Sequence, residues 1–477
     1  MSLEPQDIQS DYRLADYKPL LPLGPGVRAL IGQIEDHPSL THLIDDLGEA
    51  HDLQQANGQY DLAIGSDPAL GNWLKPGGLL CLLGDQPVPG GELLPLGRWH
   101  ALPGWPSFRS LVPANPAGHK AALGALRLLP QRTPSAALGR VAPGLAALLL
   151  PAAGVALYTR GKAQGAGGES LLARADRALG GSRPFRPDQW LIVSGRLGPG
   201  NPILAFQCNG KGKGQPRQLV KLARDRGADH LAHEAGQIAA IIKALGPALS
   251  ERVIAPIASA TIDGRHALAY EFVSTQPFRG LRWRFQGRAG LCHALTDWLI
   301  QVATRTRQAA GHEIESACHL QPLQQLIDRN ILPGTLQQEA GQSLNWLQRR
   351  STLPTVFEHG DLGIYNLRLL TSNGRNFKVL DWGSSTFTGI AAGDLLYLLG
   401  SARAPARLAT ACLQRYLHAL DLPASSASAL WWAYLARRWA ELDTIRPPHP
   451  DQPESGGGLL LAVHAQARAA LAGLARD

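Results

Sequence analysis

Two short segments of this 477-residue chain hold residues whose types and spacing suit phosphoryl transfer: His359-Gly-Asp-Leu-Gly-Ile-Tyr-Asn366 and Val379-Leu-Asp-Trp-Gly383. Moving a phosphoryl group to a hydroxyl needs a carboxylate that accepts the hydroxyl proton. It also needs oxygen ligands that hold magnesium against the nucleotide phosphates. A carboxylate and an Asn five positions later, on a loop between short strands, can face one metal cluster. An Asp at the end of the next strand supplies the other ligand. The pattern assigns Asp361 as catalytic base, with Asn366 and Asp381 as metal ligands and His359 as a hydrogen-bonding brace for the loop.

Together these segments resemble the aminoglycoside phosphotransferase and choline kinase superfamily of protein-kinase-like fold, over about residues 185–445. Its signature is His-Gly-Asp, an Asn five residues after the Asp, then a strand ending in Asp-Trp or Asp-Phe. The resemblance implies ATP as phosphoryl donor and Mg2+ as cofactor. It also implies a structural role for Asp394 in Gly393-Asp-Leu-Leu-Tyr-Leu-Leu, where the family's Asp begins a helix and helps hold the catalytic loop. Four residues of this type in the right order make a capped turn and a buried strand a poor alternative reading.

A nucleotide must also be held from upstream. In Leu219-Val-Lys-Leu, strand alternation puts Lys221 on one face, where it would reach the α- and β-phosphates. Glu234, inside the following helix, would pair with it. Ser194-Gly-Arg-Leu-Gly-Pro-Gly-Asn lies between two strands, and Gly195, Gly198 and Gly200 would let the backbone approach phosphates. Pro199 removes one donor there, and a plain hairpin turn is the competing reading. The segment Tyr270-Glu-Phe-Val is the expected hinge, with Glu271 and Val273 presenting backbone to the base. It carries no side chain that separates ATP from GTP.

The elements that must position these groups follow from pattern. Short strands are expected at 189–194, 202–207 and 218–223, a helix at 230–245, two more strands at 253–262 and 266–273, and a mostly helical lobe from about 289. That is a bilobal arrangement, an N-lobe at 187–275 and a C-lobe at 276–477. A Gly-, Ala- and Arg-rich stretch, 161–186, reads as a linker. Ahead of it, Tyr60-Asp-Leu-Ala-Ile-Gly and Leu79-Leu-Cys-Leu-Leu read as strands flanking a short helix and a Pro-Gly-Gly turn, with Gly154-Val-Ala-Leu-Tyr-Thr as a further strand. Tyr60-Asp-Leu-Ala-Ile with Leu74-Lys-Pro-Gly-Gly resembles the later strands of a class I methyltransferase. Residues 1–160 are therefore expected to form a Rossmann-like, degenerate methyltransferase-like domain. The fold class is α/β followed by α+β. Leu21-Leu-Pro-Leu-Gly-Pro-Gly is a poor cofactor loop, so S-adenosylmethionine is not expected as a working cofactor.

Composition limits the partners. Hydrophobic residues make up 45% of the chain and the formal charge is +8, which suits a folded protein with anionic ligands. No motif supports nucleic acid. Five separated cysteines fit neither zinc nor a disulfide framework, and the polar start together with the short, Pro-interrupted apolar run at 144–158 predicts a cytoplasmic protein without a membrane span. Trp431, Trp432 and Trp439 are spaced for an amphipathic C-terminal helix. Arg279, Arg282, Arg284 and Arg288 point to a neutral or anionic hydroxylated acceptor, a small molecule, sugar or glycan, against a solvated or hinge-bracing arginine patch. The domain order also resembles bifunctional kinase–methyltransferases of polysaccharide synthesis. The other alternative is a nucleotide-binding scaffold without turnover.

Overall fold

The computed structural model describes residues 19–32, 47–52, 55–83, 93–103, 109–113, 154–160, 169–181, 185–194, 201–208, 216–276, 283–309, 316–349, 353–445 and 457–474. Contacts divide the chain into two compact units. One is Met1–Leu231 with Pro256–Phe272, and the other is Ala232–Ala255 with Val273–Asp477.

The first unit is built on one mixed sheet. Its strands are β1 (Gly24–Ile31), β2 (Leu47–Asp52), β3 (Tyr60–Gly65), β4 (Leu74–Leu83), β5 (Leu93–Pro103), β6 (Arg109–Pro113), β7 (Gly154–Arg160), β8 (Trp190–Ser194), β9 (Ile203–Cys208), β10 (Pro216–Leu222), β11 (Ala258–Ile262) and β12 (Arg265–Glu271). They lie in the order β11-β12-β10-β9-β8-β6-β5-β7-β4-β3-β1-β2. The end formed by β2, β1, β3 and β4 is parallel. In β3 the consecutive apolar residues Leu62, Ala63 and Ile64 are all buried, so both faces are covered beyond Asp61. From β7 to β11 every pairing is antiparallel. In β8 the side chains alternate, Trp190 and Ile192 into one apolar cluster and Leu191 and Val193 into another.

Two local expectations are corrected here. Leu74-Lys-Pro-Gly-Gly is not a turn between helix and strand but part of β4. Gly77 takes φ +81°, and the pairing with β3 slips between Tyr60 and Leu62, so the glycines make a bulge. The stretch 161–186 contributes a helix, α1 (Leu171–Ala178), capped by Ser170 and burying Leu171, Leu172 and Ala175 against the sheet's core. The same sheet runs on from β6 to β8, across the expected domain boundary.

The second unit is mainly helical. Helix α2 (His230–Leu245) leads into it, followed by α3 (Arg288–Thr306), a short strand β13 (Gln308–Ala309), α4 (Gln321–Asp328) and α5 (Gly334–Gln348). Next come β14 (Pro354–Glu358), β15 (Leu367–Leu369), β16 (Phe377–Val379) and β17 (Thr386–Ile390). The chain ends in α6 (Gly393–Ser401), α7 (Ala406–Ala419), α8 (Ser426–Ile445) and α9 (Gly457–Leu474). β14 sits between β13 and β17, and β15 pairs with β16. Helix α8 is not amphipathic as its tryptophan spacing suggested: every residue from Ala429 to Ala436 is buried, so other elements enclose it all round. Among the described residues no helix is long and apolar enough to cross a membrane.

Candidate active site

The loop between β14 and β15 carries His359, Asp361 and Asn366. Its first turn needs a glycine: Gly360 has φ +81°, and a Cβ there would meet the Ser384 carbonyl. The Gly360 peptide is gripped from both sides. Asp394, in the first turn of α6, accepts from the His359 N–H through Oδ2 at 2.6 Å and from the Gly360 N–H through Oδ1 at 3.1 Å. Tyr434 Oη donates to the Gly360 carbonyl at 2.9 Å. Burial raises the Asp394 carboxyl above its usual range, against the lowering pull of His359 and the two N–H groups.

His359 uses both ring nitrogens for structure. Nδ1 lies 3.2 Å from the Asp361 N–H and Nε2 lies 3.0 Å from the Leu380 carbonyl. Since a backbone N–H can only donate, Nδ1 accepts and the proton sits on Nε2. Leu380 also donates its N–H to the Asn366 carbonyl at 3.1 Å, so the residue preceding Asp381 is tied to both ends of the loop. Asp381 itself is exposed and holds φ +68°, a left-handed conformation that costs a non-glycine residue about 1 kcal/mol or more. The next residue, Trp382, turns fully inward onto His359 and Phe357.

Asp361 and Asn366 meet directly. Asn366 Nδ2 donates to the Asp361 carbonyl at 2.8 Å and to its Oδ2 at 3.1 Å, which turns the amide oxygen away from the aspartate. On the other carboxylate oxygen, Tyr365 Oη donates to Oδ1 at 2.7 Å, and Arg438 Nη2 pairs with it at 3.3 Å. Tyr365 Oη is also 2.5 Å from Tyr397 Oη. With the Tyr365 proton committed to Asp361, Tyr397 is the donor in that contact. Burial first, then Asp361, pushes both phenols upward, so both keep their protons. Beside this group Arg437 forms a buried ion pair with Glu358, whose Oε2 also accepts from the Ile390 N–H.

The upstream residues lie as follows. Lys221 is buried in β10, opposite Leu268 and Leu204, with Nζ 5.6 Å from the Tyr270 ring centre. Glu234 is buried on α2 and Glu271 ends β12 with its side chain exposed. Val273 is half-buried just beyond it. Gly195, Gly198, Gly200, Arg279 and Arg282 lie outside the described residues. Arg284 is exposed, while Arg288 Nη1 donates to the Arg403 carbonyl at 2.9 Å.

The two residues assigned to magnesium, Asn366 and Asp381, would each offer an oxygen, and the Leu380 N–H bond to the Asn366 carbonyl brings the backbone before Asp381 to the loop. No group of three or more His, Cys, Asp or Glu side chains suited to a metal occurs among the described residues. Two protein oxygens fit an ion that keeps phosphate and water in its remaining positions.

Residues 205–432 match the model of the phosphotransferase enzyme family. The chain is also similar to solved structures, all at low identity. One is a point variant of aminoglycoside 2′-phosphotransferase-IIIa in its GDP complex, at 14% identity and TM-score 0.40, covering 57% of this chain and 90% of that one. A Streptomyces rimosus aminoglycoside phosphotransferase solved with ADP and streptomycin has 13% identity, TM-score 0.31 and coverage of 49% and 90%. An aminoglycoside-3′-phosphotransferase of type VIII has 17% identity, TM-score 0.31 and coverage of 55% and 96%. A comparison with curated proteins returned no match.

Sequence reasoning missed three groups around this loop. Tyr365 stands inside the motif, directly before Asn366, and only its hydroxyl beside an acid hinted at a role. Tyr397 sits in the helix that Asp394 opens. Arg438 is on α8, in a run whose tryptophans drew the reading toward packing, and no local pattern ties it to Asp361.

Proposed function

We propose that this phosphotransferase moves the γ-phosphoryl group of ATP to a hydroxyl of a small molecule, sugar or glycan. The observation that carries the proposal is the bonded pair Asp361–Asn366, next to the left-handed Asp381. Asp361 accepts the proton of the attacking hydroxyl. Its side chain is about a quarter exposed, enough to meet an acceptor, while its neighbours hold its orientation. Asn366 and Asp381 offer the oxygens for magnesium, which when bound neutralises charge on the phosphates. Lys221, Glu234, the glycines 195, 198 and 200, and the backbone at Glu271 and Val273 serve the nucleotide in this reading. His359 and Asp394 keep the loop in shape. The exposed Arg284, within an arginine-rich stretch, favours a neutral or anionic acceptor over a polycation.

The deciding experiment is magnesium-dependent ATP turnover by the wild type and by Asp361→Asn, against pooled sugars, aminoglycosides and glycan extracts. Turnover lost in the variant, by a factor of about 100 or more, supports the assignment. Equal turnover in both proteins removes Asp361 from the chemistry.

For the first unit we propose a Rossmann-like ancestry without a working cofactor site. The parallel set β2-β1-β3-β4 supports the first half of this reading. Ligands of such sheets bind at the strand carboxyl ends, where the order reverses. Here that point lies between β1 and β3, and the Leu70 side chain fills the space a Cβ on Gly32 or Gly65 would need. Calorimetry with S-adenosylmethionine should give no heat of binding, and a measurable affinity would overturn this.

A further inference from the structure

Asp361 is held by a residue that the family match does not reach. The match ends at residue 432, whereas Arg438 lies further along α8. Its side chain is 7% exposed, with Nη2 at 3.3 Å from Asp361 Oδ1 and Nη1 on Glu441 Oε2. Glu441, one helical turn on, thus fixes the guanidinium from the other side. Burial alone would lower the proton affinity of Arg438, but Asp361 foremost, with Glu441 among its other partners, raises it, so the cation is permanent.

The consequence falls on the two oxygens of the base. A carboxylate has about four lone-pair sites, two on each oxygen. Oδ1 accepts from Tyr365 and is ion-paired with Arg438, while among the described residues the hydrogen bond found on Oδ2 is that from Asn366 Nδ2. Oδ2 is therefore the oxygen with a site left for the hydroxyl proton. We propose that Arg438 is a positioning residue for phosphoryl transfer: anchored by Glu441, it occupies Oδ1 of Asp361 and so presents Oδ2 to the acceptor. This rests on Asp361 being the base. Arg438 touches neither nucleotide nor acceptor in this scheme and acts through the aspartate alone.

The prediction concerns which kinetic constant moves. Arg438→Gln should lower kcat about 10- to 100-fold, the usual cost of losing a residue that orients a working group. KM for magnesium ATP should stay within about twofold, since ground-state binding is untouched. Arg438→Lys should recover part of kcat, because it restores the charge but not the two-pronged geometry. The double variant Arg438→Gln/Asp361→Asn should be no slower than Asp361→Asn, as expected for residues acting as one unit. Turnover is measured with the pool that gives the wild type its highest rate, and circular dichroism confirms that each variant is folded.

The proposal is overturned if folded Arg438→Gln keeps wild-type kcat, if its loss appears in KM, or if it adds to the loss from Asp361→Asn. Should Arg438→Gln fail to fold, Glu441→Gln takes its place, and unchanged kcat there overturns the anchored clamp. The parent reading fails in a separate way: Asp361→Asn itself then turns over like the wild type.

Discussion

At the scale of single residues, the loop that carries Asp361 is shaped less by its motif carboxylate and amide than by what grips the peptide next to them. Asp394 takes two N–H groups, and Asn offers only one acceptor oxygen in the same place. Asp394→Asn should therefore set an amide N–H against a backbone N–H and cost about 1–3 kcal/mol, read as a lower urea midpoint at unchanged slope. Turnover should fall with it, because the Gly360 peptide loses a tether. Much of this site was legible beforehand. The order His-Gly-Asp, Asn, Asp-Trp marked the residues that the structure gathers on and beside one loop: His359, Asp361 and Asn366 on it and Asp381 next to the Leu380 tie. Arg438 was not legible, because an ion-pair partner contributed by a distant helix leaves no spacing to read; Tyr365 lay in the motif itself, but nothing local showed that its hydroxyl turns back onto Asp361.

At the scale of elements, α9 depends on a histidine that must stay neutral. His464 Nδ1 accepts from Trp431 Nε1 at 3.0 Å and its ring packs on Trp432, joining α9 to the enclosed α8. Burial, with the Arg468 charge, lowers its pKa to about 4 from an ordinary 6.5, while Glu339 lies 3.6 Å from Nε2. The folded state holds the proton less well than the unfolded one. Stability is therefore full above about pH 6.5 and is lost as the pH falls toward about 4. The melting temperature of the wild type should drop on acidification through that window, and His464→Gln should flatten the drop. A slope left intact in the variant would place the effect elsewhere. Element positions were largely legible, as the helix at 230–245 shows. The enclosure of α8 was not, because tryptophans at helical spacing look alike whether they cover one face of a helix or are joined by small residues, here Ala429, Ala433 and Ala436, that let neighbours close in on every side.

At the scale of the whole molecule, the sheet of the first unit contradicts the simplest way of cutting the chain. β8 is paired on one side by β9 and on the other by β6, and Trp99 of β5 donates its indole N–H to the Trp190 carbonyl at 3.3 Å. A chain beginning at residue 161 would leave β8 as an open edge and Trp190 without that partner. It should express as a soluble aggregate or inclusion bodies, whereas the full chain should run as a discrete species in size exclusion. A monodisperse, active fragment would show that the shared sheet contributes little. The composition shift after residue 160 was visible, but strand partners chosen across many intervening residues were not, since each strand's own pattern specifies its faces and not its neighbour. The pairing of β6 with β8 also has a history in time. β6 ends at Pro113 and β8 begins at Trp190, so at about 5–20 residues per second a ribosome needs roughly 4–15 s to deliver the second after the first. During that interval β6, already paired to β5, presents an open edge that only β8 closes.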